Sequence, residues 1–347
     1  METILYIILI LGVMNILLTG SRNYILAGIL TGVSIWVRPD GLTLLGPLLA
    51  VIYLTEKSNS IRLVRLWQLA LGFGALFFPY LLFNLIITGT PMPNTFYAKQ
   101  AEYVDWQATP FGEKTLFFAL QFFQGIAIIL LPGFIQKFIG AVRQKDWRVL
   151  AVIIWVIGFC ILYVSRLPVY QHGRYLMPAM AIFLLIGFSG FMGQLSYFSF
   201  LKIKISQIVL LSLFLVVVMV SFIFGGYTYA NDVAYIESQM VDSARWVLEN
   251  IASGEIIAAH DIGALGYFGQ HSIVDLAGLI SPEIVPIMTD DVRLSEYMTE
   301  HSVKYFIAFP GWRPALTAMG KQIFTIKNGR FLQEQEDNLA IYSWGFR

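Results

Sequence analysis

Apolar and polar positions in this chain are sorted into long blocks. Apolar runs fall at about 4–18, 24–37, 41–55, 66–88, 115–136, 148–165, 174–193 and 205–226. A bilayer span needs ~20 apolar residues, with a range near 17–25. The last five runs meet that length. The first three are short, and the second and third meet at Arg38-Pro39-Asp40-Gly41. Those two are either spans with tilted or buried ends or a re-entrant pair, and the reading adopted is eight spans.

The pattern changes at residue 227. From 231 to 251 the positions Val233, Ile236, Met240, Ala244, Val247, Leu248 and Ile251 recur at helical spacing. Residues 255–261, 272–276 and 303–309 read as strands, alternating with helical stretches near 262–269, 292–301 and 313–320. Strand–helix alternation predicts a small α/β domain with a largely parallel sheet. The expected fold is therefore a polytopic α-helical membrane protein, body 1–226, followed by an extracytoplasmic α/β domain, 227–347. Gly263, Gly266 and Gly269 lack the spacing of a dinucleotide-binding turn.

Composition narrows the class. Of 347 residues, 57% are hydrophobic and 13% charged, with mean hydropathy +0.68. Soluble proteins carry about 25% charge, so a cytosolic enzyme is excluded. An outer-membrane barrel is excluded too, because its apolar runs are short and alternating. The net charge of +1 hides a division: 1–226 holds 15 Lys and Arg against 7 Asp and Glu, while 227–347 holds 8 against 15. No basic tract marks the chain as a nucleic-acid binder.

Cytoplasmic loops collect Lys and Arg. Under eight spans, one side receives Arg22, Lys57, Arg62, Arg65, Lys137, Arg143, Lys145, Arg148, Lys202 and Lys204. The other receives Arg38, Lys99, Lys114, Arg166 and Arg174. The first side is read as cytoplasmic, which turns the 38–41 turn, the 89–114 loop, the 166–174 loop and the 227–347 domain outward. Met1 also falls outside, with neither the basic start nor the cleavage site of a secretory signal. Cys160 has no partner thiol, and four histidines without helical pairing argue against a zinc site.

Five outward runs carry candidate chemistry. Arg38-Pro39-Asp40-Gly41 is either an interfacial turn with a snorkelling arginine or a site pair in which Asp40 orients Arg38 or meets sugar hydroxyls. In Gly89-Thr-Pro-Met-Pro-Asn-Thr-Phe-Tyr-Ala-Lys99, two prolines fix an extended path. Asn94, Thr95, Tyr97 and Lys99 then offer donors, acceptors, a ring and a cation, as a polar, anionic, ring-shaped ligand requires; an ordinary re-entry loop is the alternative. Tyr170-Gln-His-Gly-Arg-Tyr-Leu-Met-Pro178 places His172, Arg174 and Tyr175 at headgroup depth, where an arginine fork suits phosphate; plain headgroup anchoring is the alternative. His260-Asp261 and Asp275-Leu-Ala-Gly278 lie at predicted strand ends, where open α/β sheets bind ligands but where polar residues are also common without function.

Taken in this order and on one face, Arg38–Gly41, Gly89–Lys99, His172–Pro178 and Asp275–Leu279 resemble runs of bacterial GT-C superfamily glycosyltransferases, in particular polyprenyl-phosphosugar-dependent enzymes of the arabinofuranosyltransferase-like kind that build cell-envelope glycans. The likeness covers nearly the whole chain, and the Gly-Thr-Pro-x-Pro-Asn-Thr-x-Tyr-Ala-Lys run is its most specific part. It implies a multi-pass protein of the bacterial inner membrane. The implied reaction is sugar transfer from a polyprenyl-phosphosugar donor to a glycan, glycolipid or glycoprotein acceptor outside, with no tightly bound cofactor and metal dependence left open. Arg174 would meet the phosphate with His172 and Lys99 as helpers, while Asn94, Tyr97 and Asp40 would contact sugar or acceptor.

One departure matters. A Gly-Met-Glu-Thr run lies inside such chains, whereas Met1-Glu2-Thr3 begins this one. The resemblance therefore implies an N-terminally truncated form whose general base lies upstream of Met1, with a separately encoded N-terminal segment among the partners to be expected. Two alternatives stand beside this reading. A transporter or flippase of lipid-linked glycans requires polar residues at mid-span, where Asn84 and Gln121 are the main ones and both lie near ends. A non-catalytic envelope scaffold would use the acidic domain to hold a partner.

Overall fold

The computed structural model describes residues 2–167, 173–200, 204–326 and 338–345. The chain divides into two compact units, one comprising Met1–Met92 with Tyr103–Ser221 and the other Pro93–Glu102 with Phe222–Arg347.

The first unit is helical. Its elements are α1 (Glu2–Thr19), α2 (Tyr24–Val37), a 3-10 turn Pro39–Leu44, α3 (Leu45–Thr55) and α4 (Asn59–Thr88). After α5 (Asn94–Glu102), which belongs to the other unit, follow α6 (Val104–Ala108), α7 (Phe111–Phe122), α8 (Ile126–Gln144), α9 (Trp147–Arg166), α10 (Met177–Phe200) and α11 (Lys204–Tyr235) as far as Ser221, the rest of α11 belonging to the second unit. Six helical runs among the described residues are long and apolar enough to cross a membrane: Glu2–Thr19, Asn59–Thr88, Ile126–Gln144, Trp147–Arg166, Met177–Ser196 and the run Ile208–Asn250. Tyr24–Val37 and Pro39–Thr55 are shorter apolar helices. Large side chains such as Phe78, Ile86 and Phe222 remain exposed along them, as expected of a surface solvated by lipid. The chain is a multi-pass membrane protein with a C-terminal sheet-containing region.

Two helix pairs pack through glycine. A Cβ on Gly28 would fall 2.5 Å from the Leu69 carbonyl, and one on Gly72 would collide with the Ile25 carbonyl, so α2 and α4 touch backbone to backbone. Gly133 of α8 and Gly190 of α10 oppose each other in the same way. Small residues let apolar helices approach where lipid supplies no hydrophobic drive. The core at the centre of the unit gathers Tyr6, Ile10, Leu48, Ile153 and Phe159.

One expected span is corrected. The apolar run 115–136 is broken: α7 stops at Phe122 and α8 begins at Ile126, with Gly125 between them at φ +59, a conformation glycine adopts without a Cβ clash. The span expected at 115–136 is therefore 126–144. The expected boundary at 226/227 also falls inside a helix, because α11 runs through it to Tyr235. A π-helical stretch, Ile236–Val241, then leads into α12 (Asp242–Asn250).

The second unit holds β1 (Ile256–Ala259), α13 (Gly263–Phe268), β2 (Ser272–Asp275), α14 (Asp291–Glu300), β3 (Val303–Ala308), α15 (Pro314–Thr317), β4 (Lys321–Thr325) and β5 (Ala340–Ser343). Strand order is β2-β1-β3-β5-β4. β1 pairs parallel with β2 and β3, whereas β5 pairs antiparallel with β3 and β4. The sheet is thus mixed rather than largely parallel, since the unanticipated β4 and β5 close one side. Within the π stretch Gln239 is buried; its amide donates to Asn338 Oδ1 at 3.2 Å and its carbonyl accepts from the Leu339 N–H at 2.9 Å, fixing the entry to β5.

Candidate functional site

In the membrane body the extended Arg38 ends α2, and Pro39 opens the tight turn that carries Asp40 back beneath it. Arg38 is 7% exposed. Its Nε donates to Asp40 Oδ1 at 3.2 Å and its Nη2 to the Tyr163 hydroxyl at 2.9 Å, with Asp40 Oδ2 3.2 Å from Nη2. The Tyr163 hydroxyl, brought by α9, donates to the same carboxylate. The guanidinium carbon lies 5.4 Å from the ring centres of both Tyr6 and Tyr175, and the Tyr163 and Tyr175 rings stack at 5.9 Å.

Arg174 reaches the same tyrosine. Gly173, at φ +66, turns the chain into α10. The Arg174 guanidinium carbon then lies 5.0 Å from the Tyr175 ring, and its Nη2 donates to the Tyr175 hydroxyl at 3.2 Å. Among the described residues, Arg38 Nη1, Arg174 Nε and the Tyr6 hydroxyl are buried with no hydrogen-bond partner. The turn therefore gathers Arg38, Asp40, Arg174 and Tyr175 from the residues expected at a site, and adds Tyr6 and Tyr163. His172 lies outside the described residues.

Asn94, Thr95, Tyr97 and Lys99 all fall on α5, in the second unit. The run is not a loop past its second proline, since Pro93 accepts from the Phe96 N–H and starts a helix whose buried side chain is Ala98. α5 ends at Glu102, beside the sheet.

Register places the rest. Ala259 pairs with Asp275 and with Ile307, so parallel β1, β2 and β3 end together and the residues just beyond them meet. There a cavity of about 190 Å³ is lined by Glu102, Ser243, His260, Asp261, Phe309 and Trp312, with apolar walls from Leu265, Ile307 and Leu339. His260 Nε2 is 3.7 Å from Glu102 Oε1 and its Nδ1 3.7 Å from Asp261 Oδ2, and its ring centre lies 4.5 Å from that of Trp312. Burial disfavours the imidazolium, but Asp261 together with the Glu102 and Asp275 charges outweighs it, so the His260 pKa rises above its ordinary value. Asp275 is fully buried and uses both oxygens on its own turn, accepting from the N–H of Ala277 at 2.9 Å and of Ile280 at 2.8 Å. Among the described residues no group of three His, Cys, Asp or Glu side chains could hold a metal ion.

Sequence reasoning missed Tyr6, Tyr163, Glu102 and Trp312. The tyrosines sit inside apolar runs with no polar neighbour to mark them. Glu102 was within reach, since it lies one helical turn beyond Lys99 and extends the same polar stretch.

Comparison with known proteins adds little to this geometry. The family described as Domain of unknown function (DUF8728) matches residues 231–342, about a third of the chain. No curated protein matches. Among solved structures, the crystal structure of ArnT from Cupriavidus metallidurans in the apo state aligns over 93% of this chain and 70% of that one, at 13% identity and a TM-score of 0.43. A likeness this distant carries no residue role across to this chain.

Proposed function

We propose that this protein is a membrane glycosyltransferase of the GT-C kind, transferring a sugar from a polyprenyl-phosphate carrier to an envelope acceptor on the outer face of a bacterial inner membrane. One observation supports the reading most. Arg38 and Arg174 both rest on Tyr175, and Asp40 pairs with Arg38. A buried and a half-buried cation set near one anion leave a positive site with unmet N–H donors on Arg38 Nη1 and Arg174 Nε. Ionisable groups at membrane depth carry function far more often than stability, and a lipid-linked phosphate would supply the missing charge and accept those donors.

In the transfer, the acceptor hydroxyl oxygen bonds to the anomeric carbon as the bond from that carbon to the carrier phosphate oxygen breaks. The leaving phosphate gathers negative charge, which a fixed guanidinium stabilises. Arg174, with His172 as helper, takes that role, and Arg38 adds to the field. Asp40 is committed to Arg38 and Tyr163, so it orients a cation and is given no part as base. Asn94, Thr95 and Tyr97 of α5 are the candidates for sugar and acceptor contacts, and Lys99 is a further candidate for phosphate.

The test uses the full chain in nanodiscs with polyprenyl phosphate as probe. Losing a charge-assisted hydrogen bond is worth about 1.5–3 kcal/mol, so Arg174→Ala should weaken binding about 10- to 100-fold. Equal binding by wild type and variant overturns the assignment.

A further inference from the structure

The cavity at the strand ends looks like a ligand site, but its polar lining is already engaged with itself. Both ring nitrogens of His260 face carboxylates, Glu102 on one side and Asp261 on the other. The Trp312 ring is approached by the imidazole and by the Arg313 guanidinium, whose carbon lies 5.4 Å from it. What these contacts join is more telling than the space they leave. Glu102 is the last residue of α5, a helix separated from the remainder of its unit by 119 intervening residues of the chain. His260 and Asp261 follow β1 directly.

We propose that His260 is a positioning residue: its imidazole, held between Glu102 and Asp261, is a proton-operated latch that fastens α5, with Asn94, Thr95, Tyr97 and Lys99, to the sheet. Protonated, the ring offers one N–H to each carboxylate and bridges the two elements. Neutral, it keeps a single N–H and cannot donate to both, and the two carboxylates then face each other without a cation between them. The 3.7 Å separations fit ion pairs that tighten or loosen without rebuilding the backbone.

The charged surroundings agree from each packed element. Glu102 comes from α5, Asp261 from the end of β1 and Asp275 from β2, and all three favour the imidazolium. Tyr235, at the end of α11, faces Asp261 and is neutral in this range. Arg313, which would oppose the proton, spends its guanidinium on Asp291 at 2.6 Å and on the Met288 carbonyl. Because the folded-state pKa of His260 lies above its ordinary 6.5, the latch is fully set below that value and is lost as pH rises through the raised pKa.

Hydrogen exchange on the full chain in nanodiscs tests this without any assay of sugar transfer, so it can fail or succeed independently of the proposed activity. Between about pH 6 and about pH 9, and after correction for intrinsic exchange, α5 amides of the wild type should lose about tenfold in protection. Those of β1 and β3 should stay constant. His260→Gln and Glu102→Gln should each give a flat α5 profile at the low, high-pH level, with the β1 and β3 amides reporting that the sheet is intact. A flat wild-type profile overturns the latch whatever the variants do, as does a pH-dependent profile that survives in His260→Gln.

Discussion

Removing Asp40 is the sharpest test of the buried cluster in the membrane body. Asp40→Ala deletes the acceptor of the Arg38 Nε bond and the partner of Nη2, leaving the guanidinium with one hydrogen bond, to Tyr163 at 2.9 Å. Both side chains of the pair are about nine-tenths buried, at 9% and 11% exposure. Breaking such a pair strands a charge and costs about 3–5 kcal/mol. The Tyr6 and Tyr175 rings, each 5.4 Å from the guanidinium carbon, return about 0.5–1 kcal/mol apiece. A net loss of about 1–4 kcal/mol is expected. Arg38→Met/Asp40→Ala removes both charges and should be less damaging than Asp40→Ala alone, giving a coupling of about 2 kcal/mol. Equilibrium unfolding of the full chain in mixed micelles measures Asp40→Ala, Arg38→Met and the double variant. If Asp40→Ala falls within about 0.5 kcal/mol of wild type, as a surface substitution would, or if the two single changes simply add, the cluster is not a dry, coupled network and the charge argument for the site collapses.

Other outcomes follow from the same contacts. Tyr163→Phe keeps the ring stack and loses the hydroxyl that joins Arg38 to Asp40, so unfolding in the same micelles should show a loss of about 1–2 kcal/mol. Gly190→Val drives a side chain into the Gly133 backbone and should cost about 1–3 kcal/mol or more by the same measurement. Gly158→Ala, with open space around its Cβ on α9, should be neutral or stabilise by up to about 1 kcal/mol, a control for the glycine argument. Asp275→Ala leaves the N–H groups of Ala277 and Ile280 without their acceptor, and urea unfolding followed in the C-terminal unit should register a loss of at least about 2 kcal/mol.

The parts of the fold legible in the sequence are those where one solvent dictates one pattern. Long lipid-facing helices announce themselves by length, and β1, β2 and β3 by short apolar runs ending in polar residues. β4 and β5 do not. Residues 321–323 of β4 are exposed at the sheet edge, and β5 has four buried residues with no alternation to read. The break at Gly125 is hidden because Gln121 and Gln124 are two polar residues in an otherwise apolar run, so averaged hydropathy passes through a point where the backbone turns. The sites divide along the same line. Turn chemistry made Arg38 and Asp40 conspicuous, whereas their partner Tyr163 lies 125 and 123 residues away inside a span. Only the packing of α9 against the turn reveals the triad. Asp275 shows the reverse error: a polar strand end is conspicuous, yet here its carboxylate serves its own turn.

The placement of α5 also sets an order of events during synthesis. The helix leaves the ribosome roughly 200 residues ahead of β3, which at about 5–20 residues per second is a wait of ~10–40 s before the strands that receive it exist. During that interval it has water or headgroups for company and no sheet to lie against. A strongly amphipathic segment would bind the bilayer surface and stay there. α5 instead buries Ala98 and packs only the small Ala101 against the core beneath the sheet, so the earliest-made piece of the C-terminal unit is one that tolerates arriving first.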